Sequence, residues 1–110
     1  MTLFEKIVAR QIPADIVYED DQTLAFRDIH PQAPVHVLVI PKAPLVQLSA
    51  ATEADAALLG RLMLAVQRTA AALGLRDYRV VINNGAGAGQ SVFHLHAHVL
   101  AGRPLSWPPG

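Results

Sequence analysis

Three histidines alternate with apolar residues towards the end of the chain, at His94, His96 and His98. Successive side chains on a β-strand point to opposite faces, so this spacing predicts three imidazoles on one face of a strand at residues 94–100. The apolar residues between them would point to the other face and pack on a core. Placing three imidazoles side by side on a half-buried face is unfavourable unless they have a function. This segment is therefore the leading candidate for a catalytic or binding role.

Three interpretations of the histidine face are open. The histidines could be structural, with their ring nitrogens satisfied inside a half-buried strand. They could ligate zinc, as alternate histidines do in three-histidine sites, although no carboxylate or cysteine lies nearby in sequence. They could catalyse a reaction at phosphorus, because a neutral imidazole nitrogen is a nucleophile and its neighbours can bind phosphate oxygens or protonate a leaving group. The strict alternation favours catalysis.

A glycine-rich segment at residues 85–89 precedes Gln90 and Ser91. It is neither a dinucleotide fingerprint nor a P-loop, because Gln90 replaces the third glycine, no helix follows and no Gly-Lys-Ser/Thr is present. It is either a flexible connection or a bare backbone whose N–H groups can approach a phosphate. In the second case Ser91 would add a hydroxyl and Asn83 an amide.

The composition limits the function classes. With 110 residues, 52% of them hydrophobic, residues 1–110 are expected to form a single domain. Nine basic and nine acidic residues give zero net charge, which argues against a nucleic-acid polymer but not against a single nucleotide. The chain has no cysteine, hence no disulfide or thiolate metal site. It shows no secretory signal or membrane-spanning run, so we expect a cytoplasmic protein with no membrane partner.

The elements that must position these residues can be predicted from caps and periodicity. Thr2 and Glu5 form a capping box for a short helix that runs to about Arg10. Thr52 can cap a long amphipathic helix that ends near Gly74. Five strands are predicted at residues 16–19, 23–27, 35–40, 78–83 and 94–100. Short links between them favour an α+β domain, an antiparallel sheet with helices packed on it.

The pattern His-φ-His-φ-His-φ-φ at residues 94–100 resembles the histidine triad (HIT) superfamily, and motifs along the rest of the chain resemble its Hint branch. These motifs are Ile12-Pro13-Ala14, Tyr18–Asp21, Ala25–Ile29, Pro31–Pro34, His36–Lys42, Gly89–Val92, Gly102-Arg103 and Trp107–Gly110. The last two separate the Hint branch from dinucleoside polyphosphate hydrolases. The chain departs from the branch pattern at His30, Ala88, Ala97 and Leu105-Ser106. These departures leave the catalytic residues intact and the preferred leaving group open.

The resemblance implies a HIT-like fold with a five-stranded antiparallel sheet and two helices. It also implies a homodimer in which the two sheets join into one of ten strands. The tail, residues 102–110, would lie near the partner subunit's active site, where Trp107 would tune substrate choice. No cofactor and no metal are implied.

The resemblance further implies a purine nucleoside phosphoramidase. Such an enzyme hydrolyses the P–N bond of adenosine or guanosine 5′-phosphoramidates to the nucleoside monophosphate, through a covalent nucleotidyl-histidine. On this basis His96 is the nucleophile, and His98 binds the phosphate and helps the leaving group. His94 supports His96 through its backbone carbonyl, and His36 lies behind the triad.

Substrate-binding residues follow from the same resemblance. The phosphate side would be formed by Asn83, Gly89, Gln90, Ser91, Val92 and His98. Asp28 would accept the ribose hydroxyls, and the base pocket would be walled by Phe4, Ile7, Ile12, Phe26, Arg27 and Ile29. Taken alone, most of these apolar residues would be assigned to the core and Asp28 to a turn. A second hypothesis from another class is a nucleotide-binding regulatory or scaffolding dimer whose hydrolysis is incidental.

Overall fold

The computed structural model describes all 110 residues and contains two α-helices and five strands. The helices are α1 (Leu3–Val8) and α2 (Ala56–Ala72); the strands are β1 (Ile16–Glu19), β2 (Thr23–Arg27), β3 (Val35–Pro41), β4 (Arg79–Val81) and β5 (Ala97–Ala101). The predicted α+β architecture is confirmed. Neither helix combines the length and the apolar character needed to cross a membrane.

The strands form one antiparallel sheet in the order β1-β2-β3-β5-β4. The central strand β3 is β-branched and almost entirely buried, as expected for a strand covered on both faces. In its register with β5, Leu38 lies opposite His98 and His36 lies opposite Leu100. His36 and His98 are therefore diagonal neighbours on the same face of the sheet.

Each face of the sheet packs against one helix. The α2 face buries Ala25, Val37, Val39, Leu62, Ala65, Val66, Leu95, Ala97 and Val99. The α1 face buries Phe4, Ile7, Leu24, Phe26, Leu38 and Ile40. The apolar residues between the triad histidines thus belong to the α2 side, and the predicted alternation is confirmed. The histidines themselves lie on the α1 side, beneath Phe4.

The short helix α1 is capped as predicted. The Glu5 N–H donates to the Thr2 hydroxyl at 3.1 Å, and the Thr2 N–H donates to the Glu5 carboxylate at 3.1 Å. The helix ends at Val8 and not at Arg10, because Arg10 has φ +60°, a left-handed conformation that cannot continue a helix. This early end lets the following residues turn along the mouth of the site.

The helix α2 begins later than its capping signal. The Thr52 N–H donates to the Asp55 carboxylate at 2.9 Å, and a 3₁₀ turn (Glu53–Asp55) leads into the α-helix at Ala56. Gly74, with φ +69°, follows the last turn, as predicted.

The last two strands are shorter than predicted. β4 has three residues, and β5 begins at Ala97, so the expectation that the strand starts at His94 is wrong. The ladder between β3 and β5 stops at the Val39–Ala97 pair, although β3 itself continues to Pro41 alongside β2. The preceding segment bends at residues 92–94, and the Leu95 N–H donates to the Leu45 carbonyl at 2.6 Å.

Candidate active site

His94 is buried behind the cavity, and its side chain ties its backbone to the end of β3. Its side chain is 1% exposed, and its Nε2 lies 2.6 Å from the carbonyl oxygen of Pro41, at the end of β3. A carbonyl can only accept, so Nε2 carries a proton and donates it to Pro41. The Nδ1 of the same ring is buried without a hydrogen-bond partner. The side chain therefore fixes the backbone of His94 rather than offering a group to solvent.

His96 is oriented by that backbone. Its Nδ1 lies 2.7 Å from the His94 carbonyl oxygen, so the ring proton sits on Nδ1 and the lone pair on Nε2. The ring borders an open cavity and packs edge-on against Phe4, with ring centroids 5.0 Å apart and an interplanar angle of 90°. Burial lowers the pKa of His96, which keeps the ring neutral at neutral pH. A neutral imidazole with a free Nε2 is a nucleophile.

In the His36–His98 pair a backbone N–H fixes the proton positions, whereas at His96 a backbone carbonyl does so. The Gln32 N–H donates to His36 Nδ1 at 3.0 Å, so the proton of the neutral His36 ring sits on Nε2. That Nε2 lies 2.9 Å from His98 Nδ1, and the N–H donates to it. His98 must then carry its own proton on Nε2. Its ring borders the same cavity as His96 and can offer that N–H as a donor.

Electrostatics keep the rings of His36, His96 and His98 neutral near pH 7. Burial, together with the neighbouring His96 and His36, lowers the pKa of His98 to about 4. Burial also lowers the pKa of His36, against the opposing charge of Asp28, whose Oδ2 lies 3.5 Å from His36 Nε2. One lone pair and one N–H therefore lie side by side, on the rings of His96 and His98, whose centroids are 5.0 Å apart.

The two histidines open onto a cavity of about 590 Å³, a size typical of small-molecule sites. Eleven predicted site residues line it: Phe4, Ile7, Ile12, Phe26, Arg27, Asp28, Ile29, Ser91, Val92, His96 and His98. The sequence motifs that carry these residues come from four separate segments, and the fold brings them to one cavity. Its walls are mainly apolar, and the polar or charged lining residues are Asp15, Arg27, Asp28, His30, Ser91, His96 and His98.

The glycine-rich loop is held from inside by Gln90. The Gln90 Oε1 accepts the Gly85 N–H at 2.8 Å, and its Nε2 donates to the carbonyls of Val46 and Val92 at 2.8 and 3.1 Å. The Gln90 side chain is thus fully used in shaping the loop and does not face the cavity. The loop is consequently a fixed turn rather than a loose connection, and it sets the position of Ser91.

The remaining predicted residues lie outside the cavity lining. His94 and His36 sit behind it, in the network described above. Gly89 has φ +99°, and a Cβ there would lie 3.6 Å from the Asn83 amide nitrogen, so this position favours glycine beside the Asn83 side chain. Trp107 is 82% exposed at the end of the tail, and its role at a partner subunit's site stays a prediction.

One cluster offers ligand atoms with the spacing of a metal site: Asp28, His36 and His98 each place one such atom within 4.8 Å of the others. Zinc would need a lone pair from each histidine. The facing nitrogens of His36 and His98 instead share one proton over 2.9 Å, with the Gln32 N–H fixing its direction. Metal binding would require this hydrogen bond to be lost. The arrangement fits a proton-ordered pair better than a zinc site.

Comparison with known proteins identifies the family. The family model described as the HIT domain matches residues 9–105. The chain belongs to the HIT domain family. The histidine triad and the glycine-rich loop lie within the matched residues.

Relatives and solved structures extend the match over the whole domain. An uncharacterized HIT-like protein of Synechocystis sp. is 66% identical over 110 residues, covering 99% of this chain and 96% of the relative. A 14 kDa zinc-binding protein of Zea mays is 50% identical over 112 residues, covering 99% and 88%. The crystal structure of a HIT family hydrolase from Legionella pneumophila superimposes with a TM-score of 0.96, at 45% identity and full coverage of both chains. A HIT family hydrolase from Clostridium thermocellum gives 0.92 at 41% identity, covering 96% and 93%.

The HIT cavity also contains residues that sequence reasoning missed: Leu3, Pro13, Ala14, Asp15, His30 and Leu38. Leu38 could have been found, because it alternates with His36 on β3 and therefore faces the same side. The others lie on the short helix or on loops, where no periodicity indicates direction.

Proposed function

We propose that this HIT chain is a purine nucleoside phosphoramidase of the Hint type, which hydrolyses the P–N bond of adenosine or guanosine 5′-phosphoramidates. The observation that carries the proposal is the proton arrangement on His96. The His94 carbonyl holds the proton on Nδ1 at 2.7 Å, which leaves the Nε2 lone pair for attack in a ring that borders the cavity. The similarity to HIT family hydrolases supports a hydrolytic reaction.

The lining of the cavity favours one orientation of a bound nucleotide. The apolar walls suit a flat base, with Phe4 and Phe26 in edge contact at 5.4 Å. Asp28 accepts the His30 N–H on Oδ1 at 2.8 Å and is partly exposed, so its carboxylate has lone pairs left for the ribose hydroxyls. The α-phosphorus then lies towards His96, with Ser91 and the His98 N–H beside its oxygens.

The first chemical step is displacement at phosphorus. The His96 Nε2 lone pair forms a bond to the α-phosphorus, and the P–N bond to the amine breaks. The departing nitrogen takes one proton from solvent at the open mouth of the cavity. The neutral His98 donates a hydrogen bond from Nε2 as charge develops on the phosphoryl oxygens or the leaving nitrogen. The His94 carbonyl stabilises the positive charge that His96 acquires.

The second step is hydrolysis of the nucleotidyl-histidine. Water attacks the phosphorus from the side that the amine has left, the bond to Nε2 breaks, and His96 returns to its neutral form. The attacking water releases one proton, which balances the proton taken by the amine. The product is the nucleoside 5′-monophosphate, and no cofactor takes part.

The test is turnover of adenosine 5′-phosphoramidate by the wild-type protein and by His96→Ala. We expect the substitution to abolish cleavage and to leave AMP affinity within about tenfold, because the base and ribose contacts remain. A nucleotidyl adduct on His96 should be detectable by mass spectrometry after rapid quenching at alkaline pH. If the wild type binds AMP but cleaves no phosphoramidate, the alternative of a nucleotide-binding regulatory or scaffolding dimer is correct.

The proposed assembly is a homodimer through the β4 edge. β4 ends the sheet, pairs only with β5 and leaves its other backbone edge unpaired, and its Val80 side chain is exposed. α2 also exposes Met63 and Leu64. Pairing two β4 edges would join the sheets into ten strands and remove an open edge. Light scattering on the purified protein tests this, with a monomeric mass contradicting it.

A further inference from the structure

We propose that Arg103 is a positioning residue that holds the loop at residues 28–36 from outside, so that the Gln32 N–H keeps the proton of the His36–His98 pair pointing towards the cavity. The inference rests on the proposed function for its kinetic consequence. Its structural consequence, the proton position on His36, is independent of any activity.

The contacts run through a single residue of the loop. Arg103 Nε and Nη2 both donate to the Gln32 carbonyl oxygen, at 3.1 and 3.0 Å. The N–H of the same Gln32 donates to His36 Nδ1 at 3.0 Å. A planar guanidinium that places two donors on one carbonyl fixes its direction more tightly than a single donor does. Gln32 is thereby held between Arg103 outside the loop and His36 inside it.

The chain before Arg103 presses on the same loop. Gly102 has φ +95°, and a Cβ there would lie 2.8 Å from Pro34 Cβ, which only a glycine avoids. At the base of the loop, the Asp28 N–H donates to the His36 carbonyl at 3.0 Å. The loop is thus closed at its base by its own backbone and clamped at its tip by the segment that follows β5.

The direction of the hydrogen bonds from Gln32 through His36 to His98 depends on Gln32 being held in place by Arg103. With the Gln32 N–H in place, protonation of His36 Nδ1 would set two N–H groups against each other, so the ring stays neutral with its proton on Nε2. The charged or titratable groups that face His36 are Asp28 and His98, with His96 behind His98. If Gln32 moves away, His36 Nδ1 is free to take a proton, and the nearby carboxylate of Asp28 favours the protonated ring.

The test compares Arg103→Lys with a matched control, Arg79→Lys. Lysine keeps the charge but cannot place two fixed donors on the Gln32 carbonyl. Arg79 Nη2 donates to the Leu105 carbonyl at 3.1 Å and so holds the tail without touching the loop. For Arg103→Lys we expect kcat to fall about fivefold, the loss of roughly 1 kcal/mol of hydrogen bonding. We also expect an unchanged KM and an acid limb of the pH–rate profile displaced to higher pH.

A second measurement needs no turnover. Long-range ¹H–¹⁵N spectra of the histidine rings report which nitrogen carries the proton, and His36 Nδ1 should show an unprotonated signal in the wild type. Arg103→Lys should shift this signal towards a protonated or mixed state, and Arg79→Lys should leave the signal and the pH profile in place.

Two results would overturn the inference. One is an unchanged His36 signal and an unchanged pH profile in Arg103→Lys, even if the variant is less stable. The other is an equal effect of both variants, which would mean that Arg103 acts through the tail. If the wild type cleaves no phosphoramidate, the proposed function fails, and the ring spectra alone decide the role of Arg103.

Discussion

Replacement of His94 by alanine tests whether the position of its backbone carbonyl controls the nucleophile. The substitution keeps that carbonyl in the chain and removes the side chain that anchors it to Pro41 at 2.6 Å. An unpaired buried carbonyl costs about 1–3 kcal/mol. A cavity the size of an imidazole ring, at a site that is 1% exposed, adds about 1–2 kcal/mol. We therefore expect the free energy of unfolding to fall by about 2–5 kcal/mol.

The catalytic effect of His94→Ala should appear in kcat. Once the anchor is gone, the carbonyl shifts and the His96 proton can move between its two nitrogens, so the Nε2 lone pair is no longer held in line. Misplacement of a reacting group by about 1 Å costs on the order of 100-fold in rate. We expect kcat for adenosine 5′-phosphoramidate to fall 10- to 100-fold and KM to stay within about twofold, because Phe4 and Asp28 still bind the nucleoside.

A matched control separates this effect from lost stability. Leu62 is completely buried on α2, on the opposite face of the sheet. Leu62→Ala should destabilise the fold by about 2–5 kcal/mol and leave kcat per folded molecule within about twofold. Both variants are compared by urea unfolding and steady-state kinetics. Wild-type kcat in His94→Ala, or an equal loss in Leu62→Ala, would refute the proposed control of His96.

Two further predictions follow from the buried, proton-ordered histidines. Because burial lowers the pKa of His96 and His98, kcat/KM should hold as the pH falls through 6.5, and an acid limb centred at or above 6.5 would contradict the assignment. Between pH 6.5 and about 4 the unfolded chain binds a proton that the folded His98 does not, so the urea midpoint should decline across that window. Because His36 and His98 share a proton where a metal would bind, dialysis against a chelator should leave kcat unchanged, with no stoichiometric zinc in the purified protein. Activity that is lost and then restored by zinc would sink this part of the mechanism.

The face of the histidines could be predicted because each inner strand separates two different environments. Leu95 and Val99 reach the core beneath α2, and the histidines between them reach the α1 side. A strand of period two has only one way to satisfy both sides, so the residue pattern alone determines direction. The same reasoning would have placed Leu38 in the cavity.

The start of β5 could not be predicted from its own residues. The pattern at residues 94–96 sorts the side chains to two faces as in a strand, but the chain bends at residues 92–94 and the Leu95 N–H donates to the Leu45 carbonyl. Here the ladder with β3 stops at the Val39–Ala97 pair, and the Leu95 N–H turns to the Leu45 carbonyl instead. Strand ends are set by partners that lie far away in sequence, and the preference of a segment for extended structure says little about them.

The proton positions in the site depend on backbone carbonyl and N–H groups, which are the same in nearly every residue type. The His96 proton is held by the carbonyl of residue 94, the His94 proton by the carbonyl of Pro41, and the His36 lone pair by the N–H of Gln32. Any side chain at these positions would offer the same carbonyl, and any residue but proline the same N–H. The sequence therefore shows the imidazoles and their spacing but not which nitrogen of each is free. With each chain of hydrogen bonds ending on a fixed backbone group, one lone pair and one N–H remain for the cavity, and the proposed displacement at phosphorus uses both of them.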